Sequence, residues 1–163
     1  MKKDVLKRAK EVLDIEADAI RALKSHIGKE FKVALGLLLK AKGRVVVSGM
    51  GKTGIIAQKF SATLASTGTP SLFLHCAEAI HGDLGKVTSD DIVIVLSNSG
   101  QGEEIKQLVP LLKKIGSKII ALTGNKNSIL AKYSDVVLDT SVKKEACPLG
   151  LATRERIQNP FLV

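Results

Sequence analysis

Short runs of β-branched and aliphatic residues alternate with longer segments of helical periodicity, and this alternation limits the possible folds of the chain more than any other feature. Each run is too short and too apolar to be a surface helix and is typical of a strand buried on both faces. The runs lie at 44–48, 71–74, 91–96, 118–122 and 135–138, and the helical segments between them at about 53–66, 103–115 and 128–133. Strands that alternate with helices through short, glycine-marked links predict right-handed βαβ units and a parallel sheet covered on both faces.

Two further helical segments precede the first strand. Their apolar residues recur at helical spacing from 4 to 26 and from 30 to 40, with Gly28 between the two segments. We therefore predict an α/β protein with a doubly wound, flavodoxin-like sheet of roughly five parallel strands, flanking helices and an N-terminal helical hairpin. The predicted divisions are N-terminal helices that pack on the domain at 1–42, a core at 43–149 and an atypical C-terminal tail at 150–163.

Composition excludes several other classes of protein. The chain has 163 residues, of which 45% are hydrophobic, so one domain with a substantial core is expected rather than a disordered chain. With two cysteines, Cys76 and Cys147, a disulfide framework is not expected, which fits a reducing compartment. No apolar run approaches the roughly 20 residues of a membrane span. Asp4 interrupts the N-terminus before any apolar signal region, so we expect a cytoplasmic protein without a membrane partner.

The formal net charge of +9 suggests an anionic ligand. Binding to nucleic acid requires clustered basic residues and often aromatic stacking platforms. In this chain the basic residues are spread along helical segments beside acidic ones, and aromatic residues make up only 3% of the sequence. We therefore expect a small anionic substrate and no nucleic-acid partner.

Two loops that follow predicted strands have the composition of an anion site. Ligands of doubly wound folds bind at the carboxyl ends of the strands. Ser48–Gly54 follows the first strand and Ser97–Gly102 the third, and both combine hydroxyl residues, glycines and the start of a helix. Glycines let backbone N–H groups approach an anion, the helix N-terminus supplies unpaired donors, and Lys52 adds positive charge. Ordinary tight turns have a similar composition, but two such loops at one edge of a sheet favour a phosphate site.

Neither a nucleoside triphosphate nor a dinucleotide is the favoured ligand. The glycines of Gly49–Gly54 lack the four-residue gap of a Walker A loop. No acidic residue ends the second predicted strand, where dinucleotide-binding folds hold a ribose. The two loops therefore suit one small phosphate.

Four motifs resemble the sugar-isomerase (SIS) domain family, and more narrowly the D-arabinose-5-phosphate isomerases. They are Val45–Gly54, His81-Gly82-Asp83-Leu84-Gly85, Ser97-Asn98-Ser99-Gly100 and Glu145-Ala146-Cys147-Pro148-Leu149. The Ser-Asn-Ser-Gly motif alone is typical of any SIS domain, whereas the four together are specific. The resemblance runs from the N-terminal helices to about Pro148.

This resemblance implies interconversion of D-ribulose 5-phosphate and D-arabinose 5-phosphate through an enediol, as a step toward Kdo and lipopolysaccharide. Such a reaction needs a base, an acid and an anchor for the phosphate, but no metal or redox cofactor. By resemblance, the catalytic residues are Lys52, Glu104, Glu145 and His81. Glu104 also fits a simpler role, because acidic residues in the first turn of a helix offset the helix dipole.

The candidate residues for binding the substrate and its phosphate lie mainly in the same loops. They are Ser48, Gly49, Gly51, Lys52, Thr53, Gly68, Thr69, His75, His81, Ser97, Asn98, Ser99, Gly100 and Gln101.

The remaining histidines and the cysteines have separate interpretations. His26, at a helix end, is predicted to be structural because a cation there meets the dipole favourably. His75 matches a position that contacts substrate and takes inhibitory zinc in the resembled family. Cys76 alone beside it does not complete a structural zinc site, and Cys147 has no base partner that would make it a catalytic thiol.

Two features depart from the family, and other functions stay open. Gly102 stands where the family has a small hydroxyl residue, and the tail after Leu149 resembles neither the family's further helix nor its tandem CBS domains. The alternatives are a regulatory SIS module that senses a phosphosugar, or an isomerase of another phosphosugar such as hexulose 6-phosphate. We also expect a homo-oligomer, a dimer or by resemblance a tetramer, because the apolar stripe at 4–26 exceeds what one layer contact requires.

Overall fold

The computed structural model describes residues 4–144, 146 and 147, so Glu145 and the predicted tail at 150–163 lie outside the described residues. The helices are α1 (Val5–Ala22), α2 (Lys29–Leu39), α3 (Gly51–Ser66), α4 (Cys76–Ile80), α5 (Glu103–Ile115) and α6 (Ile129–Tyr133). The strands are β1 (Val45–Gly49), β2 (Ser71–His75), β3 (Ile92–Leu96), β4 (Lys118–Thr123) and β5 (Val136–Asp139). Short 3-10 turns occur at Leu23–His26 and Asp83–Lys86. The sequence pattern did not predict α4, which is only five residues long.

All five strands are parallel and lie in the order β2-β1-β3-β4-β5. This is the flavodoxin-like order, so the predicted doubly wound α/β fold is confirmed. The chain moves outward from β1 to β2 on one side and from β3 through β4 to β5 on the other. The direction of winding therefore reverses between β1 and β3.

Side chains of the sheet alternate between two buried layers. Val46, Val93 and Ile119 belong to a cluster that also contains buried residues of α4, α5 and α6. Val45 and Ile94, one position along their strands, pack with α2 and α3 on the other face. Burial on both faces explains why the strands are continuous apolar runs rather than alternating ones.

The two N-terminal helices differ in how they contact the domain. Ala34 of α2 is 3% exposed, and Leu37 and Leu38 pack against the core. No residue of α1 is buried. The predicted packing of N-terminal helices on the domain therefore describes α2 better than α1. His26, predicted to be structural, lies beyond α1 with its Nδ1 3.0 Å from the carbonyl oxygen of Asp139 at the end of β5.

Candidate active site

The loops that follow β1 and β3 leave the same edge of the sheet in opposite directions. Gly49, the last residue of β1, is in register with His75 of β2 and Leu96 of β3, so all three strands end at one level. The helix after β1 packs on one face of the sheet and the helix after β3 on the other. A crevice at such a reversal is where doubly wound folds bind their ligands.

The glycine loop, residues 49–54, brings backbone very close to backbone. A Cβ on Gly49 would lie 2.8 Å from the carbonyl oxygen of Thr53, and Gly51 has a φ of 56°. Thr53 donates its hydroxyl to the carbonyl of Met50 at 2.7 Å. No described side chain caps the N-terminus of α3, so its first N–H groups are available to an anion.

The three glycines of this loop have the G-x-G-x-x-G spacing that dinucleotide-binding folds also use. In those folds an acidic residue about 20 positions later holds a ribose hydroxyl. Here β2 ends at His75 instead. The spacing therefore serves close packing of α3 on β1 and access of backbone N–H groups.

The serine loop, residues 97–101, uses its hydroxyl oxygens as acceptors. The N–H of Gly100 donates to Ser97 Oγ at 3.1 Å, and the N–H of Gln101 donates to Ser99 Oγ at 3.3 Å. Because each oxygen accepts, each hydroxyl hydrogen can be donated to an anion. Gly102 is the N-cap residue immediately before α5, and no described side chain caps that helix either. In contrast, Asp4 caps α1 and Ser128 caps α6 with their side chains.

Ser48 has a different role from the one predicted. Its side chain is 0% exposed and its hydroxyl donates to the carbonyl of Leu74 at 2.6 Å, with Cys76 Sγ 3.3 Å away. The hydroxyl lies in the core layer beneath α4 and α5, and its hydrogen already has an acceptor. The prediction that this hydroxyl binds phosphate is therefore wrong.

Gly68 and Thr69 also need correction. They precede β2, where Val45 donates its N–H to the carbonyl of Pro70 at 2.9 Å. A five-residue strand, about 16 Å long at the usual rise, separates them from the edge that carries the two loops. The structure does not bring these two residues to the site of the same chain.

Two charged residues predicted to be catalytic lie in the first turns of the two helices. Lys52 is the second residue of α3 and is exposed. Glu104 is the second residue of α5 and partly buried, and its Oε2 lies 3.5 Å from where a Cβ on Gly102 would be. Burial raises the pKa of the Cys76 thiol, and the negative charge of Glu104 raises it further. Glu104 therefore lies between the start of α5 and the start of α4, at the edge where the loops meet.

The two remaining histidine predictions fall on either end of α4. His75 precedes the helix, and its Nδ1 is buried without a hydrogen-bond partner among the described residues. His81 follows the helix and is exposed. Of the two, His75 ends β2 at this edge of the sheet, and the substrate contacts of both histidines stay predictions.

The described residues do not fit a zinc site at His75. The thiol of the adjacent Cys76 is turned into the core against Ser48, and its raised pKa disfavours the thiolate that zinc requires. Nowhere in residues 4–144, 146 and 147 do three or more histidine, cysteine, aspartate or glutamate side chains group to hold a metal ion. One histidine alone is below the three or four ligands of protein zinc sites.

The fold has counterparts among known proteins. A family model described as the SIS domain matches residues 37–160, most of the chain. The chain belongs to the SIS domain family.

Relatives of this SIS domain include named isomerases. The arabinose 5-phosphate isomerase KdsD of Pseudomonas aeruginosa is 54% identical over 149 residues, which cover 91% of this chain and 46% of that protein. The chain spans about half the length of the curated relatives it matches.

Solved structures agree with the family. The Escherichia coli CFT073 protein c3406 in complex with arabinose 5-phosphate superposes with a TM-score of 0.86 at 43% identity, over 93% of this chain and 81% of that one. A putative sugar-phosphate isomerase from Listeria monocytogenes superposes with a TM-score of 0.87 at 31% identity, over 94% and 82%.

A third loop of this SIS domain, the one that follows β4, was not predicted to belong to the site. Thr123 and Asn125 hydrogen-bond to the backbone of the serine loop. Ser128 packs so closely against Gly100 that a Cβ added to Gly100 would overlap the Ser128 hydroxyl. The signal was present, since Thr123–Ser128 is a polar, glycine-containing segment after a predicted strand.

Proposed function

We propose that this SIS domain interconverts D-ribulose 5-phosphate and D-arabinose 5-phosphate, a step that supplies Kdo and lipopolysaccharide synthesis. One observation carries the proposal: the N-termini of α3 and α5, which no described side chain caps, lie at the same edge of the sheet as the hydroxyls of the serine loop. The partly buried carboxylate of Glu104 lies at that edge as well. The relatives named arabinose 5-phosphate isomerase and the neighbour in complex with arabinose 5-phosphate support this substrate.

The proposed mechanism assigns one task to each group. The phosphate binds between the glycine loop and the serine loop, with Lys52 offsetting its charge. His81 assists opening of the sugar ring, as the family resemblance implies. Glu104 then moves a proton between C1 and C2, with Glu145 as the other carboxylate that the resemblance implicates. A negative enediolate formed in this way is stabilised by the positive charge of Lys52.

We also propose that the reaction needs no metal or organic cofactor. Proton transfer between adjacent carbons requires no change in the oxidation state of the molecule as a whole, so acid–base groups and a phosphate anchor suffice. Full activity after exhaustive treatment with a chelator is the expected result. A loss of activity restored by added metal would contradict this part of the proposal.

The reaction itself can be tested directly. We expect ribulose 5-phosphate incubated with the protein to yield the C1–H signal of arabinose 5-phosphate in the NMR spectrum. Hexulose 6-phosphate serves as the competing substrate in a parallel sample. Faster conversion of the hexulose phosphate would point to another phosphosugar isomerase. Tight binding of both sugars without conversion of either would favour a sensing module.

We further propose that the protein is a homo-oligomer, a dimer or tetramer, held together through α1. Leu6, Leu13 and Ile20 recur every seven residues along α1 and are 74%, 64% and 46% exposed. Seven residues are close to two helical turns, so these side chains form one apolar stripe that the domain itself leaves uncovered. A second copy of this stripe offers a matching apolar surface.

We expect light scattering at micromolar concentration to give the mass of two or four chains. Leu13→Glu should shift the mass toward that of a single chain, because a carboxylate in an apolar interface is strongly disfavoured. Lys7→Glu is the control and should leave the mass unchanged, because Lys7 is exposed and lies about 100° around the helix from Leu6, off the stripe. A single-chain mass for the unmodified protein would contradict the proposal.

Within the residues that the structure describes, no helix has both the length and the apolar character to cross a bilayer.

A further inference from the structure

The segment that follows β4 holds the serine loop along one side. Three successive carbonyl groups of the loop accept hydrogen bonds from residues 123–130. Asn98 O accepts from Thr123 Oγ1 at 3.0 Å and from Gly124 N at 3.1 Å, Ser99 O from Asn125 Nδ2 at 3.3 Å, and Gly100 O from Leu130 N at 3.1 Å. This side of the loop is therefore fully hydrogen-bonded to a neighbouring segment.

Fixing these carbonyls also fixes the N–H groups on the opposite side. In a trans peptide the C=O and the following N–H point in opposite directions. The peptide between Ser99 and Gly100 accepts from Asn125 on one side and donates to Ser97 Oγ on the other. The result is a continuous chain of hydrogen bonds from the Asn125 amide, through one peptide group, to the Ser97 hydroxyl. Each bond in such a chain polarises the next, which makes the final hydroxyl a better donor.

A second, parallel chain runs entirely through backbone donors. The N–H of Leu130 donates to the carbonyl of Gly100, and the N–H of Gln101 then donates to Ser99 Oγ. Only the first chain begins at a side chain. It can therefore be interrupted by a single substitution.

The side-chain amide of Asn125 is oriented by its own turn. Its Oδ1 accepts the N–H of Asn127 at 3.0 Å, and its backbone N–H donates to Thr123 Oγ1 at 3.2 Å. With the oxygen engaged in this way, the amide nitrogen faces the carbonyl of Ser99. The turn thus selects which end of the amide meets the serine loop.

We propose that Asn125 is a positioning residue for phosphate binding: it orients the Ser97 hydroxyl through the Ser99–Gly100 peptide. This inference rests on the proposed function, because it assumes that the serine loop binds the phosphate of the substrate. Asn125 itself does not contact the phosphate. Its loss should weaken binding of every ligand with that phosphate and should raise KM with little change in kcat, because ground state and transition state share the contact.

The test compares Asn125→Ser with Asn127→Ser. Serine at 125 can still accept the turn N–H but is too short to reach Ser99, whereas Asn127 is exposed and joins this turn through its backbone N–H. The probe is ribitol 5-phosphate, which carries the phosphate but has no carbonyl group and cannot isomerise. We expect Asn125→Ser to bind it about three- to tenfold more weakly while the protein stays folded, and Asn127→Ser to bind it like the wild type.

Equal affinity of Asn125→Ser and the wild type would overturn the positioning role and leave the proposed function intact. Failure of the wild type to bind ribitol 5-phosphate would overturn the proposed function and this inference with it. If Asn125→Ser does not fold, Asn125→Asp replaces it, because aspartate keeps the turn and the size of the side chain but loses the donor. Its control is Asn127→Asp, which adds the same charge two residues away. Weaker binding in Asn125→Asp than in Asn127→Asp supports the proposal, and equal binding overturns it.

Discussion

Replacing Glu104 by glutamine is expected to reduce proton abstraction by about 10²–10⁴-fold, because a general base typically contributes that factor to the rate. Glutamine has almost the same size and cannot accept the proton. The measurement is exchange of the C2 hydrogen of arabinose 5-phosphate in D2O, followed by NMR, which reports abstraction even when turnover is incomplete. Affinity for ribitol 5-phosphate should change little, since the phosphate contacts stay in place.

Glu103→Gln is a matched control for this experiment. Glu103 and Glu104 share the first turn of α5, but the Glu103 side chain is 75% exposed and pairs with Lys106 at 2.6 Å. Both carboxylates act similarly on the helix dipole. If Glu104 only offsets that dipole, the two variants should show equal, small changes in the exchange rate. A large effect at Glu104 alone identifies the base. Undiminished exchange in both Glu104→Gln and Glu145→Gln would mean that neither carboxylate is the base.

Replacing Ser97 or Ser99 by alanine is expected to weaken binding of ribitol 5-phosphate by about tenfold to hundredfold for each residue. A hydrogen bond to a charged group contributes about 1.5–3 kcal/mol, which corresponds to that range. Each hydroxyl already accepts a backbone N–H, and its hydrogen can be donated to the phosphate. Calorimetric titration of each variant gives the affinity.

Ser48→Ala is the control, although this residue was first predicted to bind phosphate as well. Its hydroxyl donates to Leu74 within the core, so the variant should lose about 1 kcal/mol of unfolding free energy while its affinity for ribitol 5-phosphate stays the same. Denaturant unfolding measures the first quantity. Unchanged affinity in both Ser97→Ala and Ser99→Ala would contradict the proposed phosphate site.

Much of this arrangement could be predicted from local sequence. The apolar runs give the strands to within one or two residues, and Glu103–Ile115 was predicted with the bounds observed for α5. The two loops were expected at one edge because parallel strands end on the same side. Those predictions depend only on periodicity, chain direction and the conformations available to glycine.

The direction of individual hydroxyl groups could not be predicted in the same way. Ser48 and Ser97 both stand where a strand meets a loop, yet one donates into the core and the other accepts a loop N–H. Ser48 is still within β1, so its side chain follows the alternation of the strand toward the layer under α4. Ser97 has left β3 and follows the turn of its own loop.

The sequence by itself therefore determined the α/β alternation, the edge at which the site lies and the residue types that suit a phosphate. Only the tertiary structure decided which polar side chains work together there. Asn125 meets Ser99 across 26 residues because β4 lies beside β3, and Ser48 meets Leu74 across 26 residues because β2 lies beside β1. Strand order arises from the packing of helices on both faces of the sheet, a property of the whole chain, so contacts between loops are not encoded in the local pattern of either loop.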